Sequence, residues 1–357
     1  MSSSFSALPA APAAAPAAPS SLVEALRLLV AAIRVRHYSY RTEQAYTGHL
    51  VRFRRWLTTP AGLAHRLADS TAKVRAYLTH IATIDRVAAK TQNQAFNALV
   101  FFYSHALQRP LGDLAQVPRA RESRRLPTIL SPEQVSAMLA ALAASCSGTS
   151  APYHLIASLL YGCGLRISEC LELRLRSIDL AASVLTITAG KGGKDRRVPI
   201  PCALVPALRA QIAHARARHA EDQLRRPAPL PVALTDTVAR KYPRYAYAPA
   251  YAWLFPAASP CTHPRTGQLV RWRIHEESLR RALRAVAVPL GLAGLVTPHV
   301  FRHAYATHLL GLGTDIRSLQ DLLGHKDVET TMVYTHTAPA QSFVRHAVDH
   351  LPALAAA

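Results

Sequence analysis

Between Ser21 and Gln108, apolar side chains recur at helix spacing in four successive stretches, and the pattern then stops at a run of Pro, Gly and Arg. Leu22, Ala25, Leu26, Leu28, Leu29 and Ile33 mark the first stretch. Tyr46, Leu50, Phe53 and Leu57 share a face of the second, Val74, Tyr77, Leu78 and Ile81 carry the third, and Phe96, Leu99, Val100 and Tyr103 the fourth. A period near 3.6 turns one stripe of each segment toward a common core, so residues 21–108 are expected to form a small all-α domain. The break at 109–130, RPLGDLAQVPRARESRRLPTIL, reads as a linker. It carries Arg119, Arg121, Arg124 and Arg125, which make it a basic linker.

Ser131-Pro132-Glu133-Gln134 then opens a second domain: Ser at the N-cap, Pro at the first helical position and Gln at the third are a helix-start signature. Helices are expected to about Leu175. The period changes at 178–200, where SVLTITAG and DRRVPIP flank GKGGK as two strands around a turn. Helix resumes from about Leu204 to Arg225. Residues 226–270 are the least regular stretch, rich in Pro, Tyr and Ala; a loop that long inside a domain is usually functional or disordered. Helix returns from about Glu276. The second domain is expected over 131–345, with a tail at 346–357, and the Ala/Pro-rich residues 1–20 read as a flexible, disordered tail.

Charge narrows the partners. Lys and Arg number 42 against 21 Asp and Glu, a formal net charge of +21. Such a surplus points to nucleic acid first and an acidic membrane surface second. Prolines interrupt the N-terminal apolar run, so no secretory signal is expected. No stretch approaches the roughly 18 uncharged apolar residues of a membrane span. Nucleic acid is therefore the favoured partner, with no membrane and a cytoplasmic setting expected. Five scattered cysteines (Cys146, Cys163, Cys170, Cys202, Cys261) with no CxxC pair make neither a disulfide scaffold nor a cysteine zinc site.

Four motifs could carry chemistry. In YGCGLRISE (161–169), glycines let the chain turn sharply and present Arg166, whose planar fork suits two phosphate oxygens. Alone, the same residues also read as a helix C-cap beside a solvated arginine. Gly190-Lys191-Gly192-Gly193-Lys194 lies at a hairpin tip, where a lysine can donate a proton to a leaving oxygen or simply face solvent. No Ser or Thr follows the lysine, which excludes a Walker loop. Thr297-Pro298-His299-Val300-Phe301-Arg302 opens a helix, with His299 and Arg302 three apart on one face at the anion-favouring end. Leu323-Gly324-His325 closes another, and Tyr334 follows nine residues later. A lone tyrosine there is most simply a packing residue. Its phenol, with a pKa of about 10, becomes a nucleophile only where cations stabilise the charge that develops on phosphorus. Taken in order, two guanidiniums, an ammonium, two imidazoles and a phenol suit metal-free phosphoryl transfer to a tyrosine, and no acidic cluster of the two-metal nuclease kind is apparent.

In GLRISE (164–169), GKGGKDRRVPI (190–200), TPHVFRHAYATHLL (297–310) and LLGHKDVETTMVYTH (322–336), the chain resembles the tyrosine recombinases, the family of Xer, phage integrase and Cre proteins. The likeness runs over about residues 21–345. It implies a mainly α fold with a small β-hairpin: an all-α SAM-like core-binding domain followed by a mixed α/β catalytic domain. It assigns the catalytic arginines to Arg166 and Arg302, the lysine to Lys191, the histidines to His299 and His325, and the nucleophile to Tyr334. Glu169 matches the acidic residue that follows the first arginine. No cofactor is implied, because the bond energy is kept in a phosphotyrosyl link. The partners implied are duplex DNA and a homo-tetramer on two sites, with the tail beyond Ala338 docking on a neighbour.

IRVRHYSYRTEQAY (33–46), AAKTQNQAFNALVFFY (88–103) and VARKYP (238–243) are similar to integron integrases, as is the long interval from Lys191 to His299. That likeness adds a folded single-stranded hairpin as substrate, with bases stacked on Tyr245, Tyr247, Tyr251 or Trp253 and phosphates met by Arg41 and Lys241. The tryptophan-rich stretch of that group is here AYAPAYAWLFP, which keeps only Tyr251 and Trp253 as aromatics close to Phe255-Pro256. A Xer-like or mobile-element recombinase on duplex sites is the alternative. A DNA-binding module without chemistry, or an RNA-packaging protein, would explain the charge but leave the spacing of the six residues unexplained.

Overall fold

A computed structural model describes residues 19–112, 129–146, 151–188 and 195–324. The chain divides into two compact units, Met1–Arg125 and Leu126–Ala357.

The first unit holds α1 (Leu22–Val35), α2 (Tyr40–Trp56), the single turn α3 (Pro60–Leu63), α4 (Ser70–Thr83) and α5 (Ala89–Phe101), which runs into a π-turn over Phe102–Ala106. Ser21, Ser39 and Asp69 each accept a backbone N–H of the first turn of α1, α2 and α4, satisfying a donor that has no partner within the helix. The core is built from Leu29 and Ile33 of α1, Leu50 and Phe53 of α2, Val74 and Leu78 of α4 and Leu99 of α5. In α5 the buried residues are Gln92, Ala95, Ala98, Leu99 and Phe101, while Phe96 packs at the edge of the core. Glu43 is buried on α2 and takes two bonds from Arg34, at 3.1 and 2.9 Å.

The second unit begins with α6 (Pro132–Cys146), α7 (Tyr153–Gly162) and the short α8 (Ile167–Leu171). Ser131 and Gln134 exchange bonds at 3.0 and 3.3 Å, the reciprocal cap that the sequence announces. Strands β1 (Ile178–Asp179), β2 (Val184–Ile187) and β3 (Arg196–Pro199) form an antiparallel meander in which Ile187 stands opposite Arg196. Then come α9 (Val205–Gln223), α10 (Asp236–Lys241), a two-stranded sheet of β4 (Cys261–Thr262) and β5 (Leu269–Val270), α11 (Glu276–Ala287), α12 (Pro298–Gly311) and α13 (Ile316–Leu323). Helix α7 is buried along most of its length, and Tyr161 at its end and Tyr305 on α12 are nearly inaccessible. Tyr161 Oη lies 2.8 Å from His308 Nδ1, which ties α7 to α12 through two polar groups that satisfy each other.

Residues 226–270 are more regular than their composition suggests. They contain α10, two 3₁₀ turns (Pro243–Tyr247 and Pro249–Tyr251) and the β4–β5 pair. A small core of Ala233, Trp253 and Val270 supports them. A fully buried ion pair sits beside it, Arg271 donating to both carboxylate oxygens of Asp222 at 2.5 and 2.7 Å. A buried arginine of this kind is held by its bidentate partner and by the carbonyls of Ala257 and Ala258.

Candidate active site

The chain reverses at Gly164 with φ of +59°, a conformation that an L side chain resists. The position is also closed by packing: a Cβ there would fall 2.4 Å from the Tyr305 ring. The turn delivers Arg166 to the N-cap of α8. Its backbone N–H donates to Glu169 Oε2 at 2.8 Å, and its Nη1 donates to Oε1 of the same carboxylate at 2.8 Å.

Glu169 is shared by three arginines. Arg196, the first residue of β3, reaches it with both terminal nitrogens at 2.9 and 2.7 Å. Arg302, one turn into α12, lies 3.7 Å from Oε2. Burial alone would raise the Glu169 carboxyl, but the Arg196 guanidinium, the Arg166 N–H and the Arg166 side chain outweigh it and hold the group down at about 2. It is therefore a carboxylate at neutral pH.

The same three arginines cap α13. The last carbonyls of a helix have no partner within it and sit at the negative end of its dipole. Here Arg196 Nε donates to the carbonyl of Leu322 at 2.9 Å, Arg302 Nη2 to that of Leu323 at 2.8 Å, and Arg166 Nη2 to that of Gly324 at 3.4 Å. Arg302 also donates to the Gly164 carbonyl at 2.6 Å. Three consecutive carbonyls thus receive three guanidiniums drawn from α8, β3 and α12. The Arg302 side chain is 4% exposed and the Arg166 side chain 38%, so Arg166 is the guanidinium that faces outward.

His299 occupies the first turn of α12, after Pro298. Burial, and then the charges of Arg280, Arg302 and Arg166, push its pKa below the ordinary imidazole value against a smaller opposing pull from Glu276. His299 is therefore a neutral ring beside a cluster of cations. His303, one position after Arg302, is shifted the same way by burial and by His299 and Arg302.

The structure thus brings Arg166 and Arg302 together on Glu169, with His299 within reach of the charges of both arginines. Lys191, His325 and Tyr334 lie outside the described residues, as do Arg119, Arg121, Arg124 and Arg125. Arg41 is exposed in the first turn of α2, in the other unit. Lys241 ends α10, with its Nζ 5.3 Å from the centre of the Tyr242 ring.

The aromatic residues of 242–253 separate into two groups. Tyr242, Tyr245 and Tyr251 stack in a ladder, with centroids 4.8 and 4.4 Å apart and interplanar angles of 22°. The Arg176 guanidinium lies 4.4 Å from the Tyr251 ring centre. Tyr242 and Tyr247 are exposed. Trp253 corrects the sequence expectation. It is 7% exposed, the Arg174 guanidinium lies 3.3 Å from its ring centre, and its indole N–H donates to the Arg271 carbonyl at 3.2 Å. An indole buried and covered in this way is a core residue, with no face to offer a base.

Arg196 is the residue of this centre that the sequence reading passed over. A signal was present: strand alternation puts Arg196 on the side of Val198, which is buried in the core. An arginine on a core face requires a carboxylate partner, and Glu169 is that partner.

The family described as "Phage integrase family" matches residues 128–341, and "Phage integrase, N-terminal SAM-like domain" matches residues 26–113. The chain is 39% identical over 333 residues to an "Integrase/recombinase" of Escherichia coli, covering 93% of this chain and 95% of that one. It is 35% identical over 277 residues to "Tyrosine recombinase XerD" of Agrobacterium fabrum, covering 74% and 76%. Among solved structures, the Tn1549 transposon integrase in complex with transposon right end DNA shares the fold, with a TM-score of 0.56 at 17% identity over 89% of this chain and 95% of that one. So does the XerH site-specific recombinase bound to difH substrate, with a TM-score of 0.56 at 17% identity over 87% and 81%.

Proposed function

The chain belongs to the phage integrase family of tyrosine recombinases, and we propose that it cuts and rejoins DNA through Tyr334, with Arg166, Lys191, His299, Arg302 and His325 as the groups that serve the reaction. The observation that carries this reading is the convergence of Arg166 and Arg302 on Glu169 and on the end of α13, immediately before His325, with His299 close enough for both guanidiniums to act on its ring.

In the first step the Tyr334 oxygen bonds to the scissile phosphorus as the bond to the 5′-oxygen breaks. Lys191 donates the proton that the leaving 5′-oxygen takes. The phenol proton passes to a neutral imidazole, a role open to His299 because burial and neighbouring cations keep it unprotonated. Arg166 and Arg302 neutralise the non-bridging oxygens, where charge builds in the transition state. A 3′-phosphotyrosyl link and a 5′-hydroxyl result. The hydroxyl of another strand then attacks, Tyr334 leaves, and no nucleotide is consumed because one phosphodiester replaces another. The expected assembly is a tetramer on two DNA sites in the bacterial cytoplasm.

Within the family, an integron-type integrase is the reading that the tyrosine ladder favours. Three stacked phenols with Tyr242 exposed at the end make a π-surface that suits an unpaired base. Lys241 and Arg176 at its two ends suit a phosphate chain. A Xer-like enzyme of duplex sites is the second reading, favoured by the likeness to XerD.

The test is a denaturing-gel assay for covalent protein–DNA adducts. It uses the wild type and Tyr334→Phe, a folded single-stranded hairpin with unpaired bases, and a duplex site, both drawn from DNA flanking the gene. An adduct with the hairpin that the variant lacks supports the integron reading. An adduct with the duplex alone supports the Xer-like one. An adduct that survives Tyr334→Phe refutes the nucleophile.

A further inference from the structure

We propose that Arg196 is a positioning residue of the cleavage reaction, which sets the Arg166 fork through Glu169 and fixes the end of α13 through the Leu322 carbonyl. The inference rests on the recombinase reading above and adds to it a group outside the six residues.

Three observations converge on it. Arg196 makes a two-bonded fork with Glu169, at 2.7 and 2.9 Å, and uses its remaining nitrogen on Leu322 at 2.9 Å, so all three guanidinium nitrogens are committed. Its side chain is 12% exposed and that of Glu169 15%, so water screens the pair weakly. The guanidinium is also packed against Gly324, where a Cβ would stand 3.0 Å from its Cδ and Nη1, at a backbone φ of +64°. The α13 end and the Arg196 plane therefore fit each other as one rigid surface.

The consequence for Arg166 follows from competition for one carboxylate. Arg166 keeps one nitrogen on Glu169 and is the most exposed of the three guanidiniums. Without Arg196, Glu169 would rotate toward Arg166 or take up a proton, because burial opposes its charge and Arg196 is the chief group holding that charge in place. Either change turns the Arg166 fork away from the place where it meets a phosphate. A misplacement on the scale of an ångström can cost about 100-fold in rate. Lysine is a poor substitute: an ammonium is a point donor and cannot hold two carboxylate oxygens and a carbonyl in one plane.

The experiment measures DNA affinity by gel shift and the rate of adduct formation at saturating protein. The wild type is compared with Arg196→Lys, Arg196→Gln, Glu169→Gln and the double variant Arg196→Gln/Glu169→Gln, each checked for folding by circular dichroism. The wild type is the control on the underlying reading: if it forms no adduct on a site that it binds, the recombinase reading fails, and this inference with it. Given wild-type cleavage, Arg196→Gln is expected to slow the adduct about 30-fold or more with affinity changed less than about 3-fold, and Arg196→Lys to fall between the two. The double variant should be no slower than the slower single one, since both act on the same link.

A pH profile separates positioning from mere support of the fold. Glu169 deprived of Arg196 takes up its proton at a higher pH, so Arg196→Gln should lose adduct rate between pH 8 and pH 5 about 10-fold more steeply than the wild type. The double variant should lose that extra steepness. Wild-type rates in Arg196→Gln or Arg196→Lys overturn the proposal, as do rate and affinity lost in equal proportion, additive losses in the double variant, or an unchanged pH profile. If Arg196→Gln does not fold, Arg196→Lys carries the same rate, affinity and pH measurements.

Discussion

Arg302 donates to the carbonyl of Leu323 at 2.8 Å, a bond that ties the helix bearing His299 to the end of the helix that precedes His325. With its second terminal nitrogen on the Gly164 carbonyl at 2.6 Å, one buried side chain joins three segments that lie far apart in sequence. The arginine therefore holds the site together as well as serving the phosphate. Arg302→Ala should lose cleavage and also destabilise the catalytic unit by about 2–4 kcal/mol, since it strands two carbonyls and a share of the Glu169 charge. Arg302→Lys should recover part of the stability and little of the activity, because one ammonium cannot reach both carbonyls in plane. Urea melts beside adduct assays read the two losses separately, and an Arg302→Ala protein as stable as the wild type would sink the structural half of this account.

Gly164→Ala tests the turn. The added methyl would lie 2.4 Å from the Tyr305 ring and 3.1 Å from Leu323 Cδ2, on a backbone at φ +59°. Both effects act in the same direction, and together they should cost about 3 kcal/mol or more. The ring cannot step aside, because Tyr305 is buried. The Gly164 carbonyl that Arg302 uses would move with the turn, so cleavage should fall further than binding. A melt within a few tenths of a kcal/mol of wild type would show that the turn relaxes.

His299 should titrate below the ordinary imidazole value of about 6.5, for burial and the charges of Arg280 and Arg302 both oppose its proton. His154, His303 and His308 shift in the same direction, each with burial as the main cause. The sign for stability follows from linkage. Above pH of about 6.5 neither state binds the proton; below it the unfolded chain binds protons that the folded one resists, so stability falls as pH drops. Imidazole C2–H resonances followed by NMR in the wild type and His299→Gln would give the His299 midpoint. A midpoint above that of a free imidazole would contradict the neutral role given to it.

The sequence made some of this site legible for physical reasons. The His299-x-x-Arg302 spacing can be read because positions three apart on a helix share a face, and the Gly164 turn because glycine marks a left-handed backbone. The hairpin showed itself as a change of period, and its strands pair as Ile187 opposite Arg196. The shared carboxylate was hidden. Glu169, Arg196 and Leu322 lie on three elements far apart in sequence, and only the fold places them within hydrogen-bond reach. The stretch 226–270 misled because its Pro and Tyr content resembles an irregular loop, whereas it is organised by the buried Asp222–Arg271 pair and by Trp253, long-range contacts that composition does not record. In the helical unit the apolar stripes gave the helices and much of their inner face: Leu99 of α5 is fully buried and Phe96 and Tyr103 pack against the core, while the buried Ala95, Ala98 and Gln92 carried too little apolar signal to be read.

The separation of Trp253 from the tyrosine ladder leads to opposite expectations for two neighbouring substitutions. Trp253 is enclosed by Arg174, whose nitrogens donate to the carbonyls of Tyr251 and Ala233 at 2.5 and 2.7 Å, so the indole supports the loop from beneath. Trp253→Ala should destabilise the unit by about 3–5 kcal/mol, as expected of a buried aromatic, and affect hairpin and duplex substrates alike. Tyr242→Ala removes an exposed ring at the end of the stack, so it should leave the melt within about 0.5 kcal/mol of wild type. If the ladder receives an unpaired base, Tyr242→Ala should weaken the hairpin by about 1–3 kcal/mol, the scale of one base–aromatic stack, and spare the duplex. Paired gel shifts with the two substrates, run beside thermal melts, decide the matter. Equal weakening of both substrates by Tyr242→Ala would mean that the ladder contributes charge and packing but does not select a base.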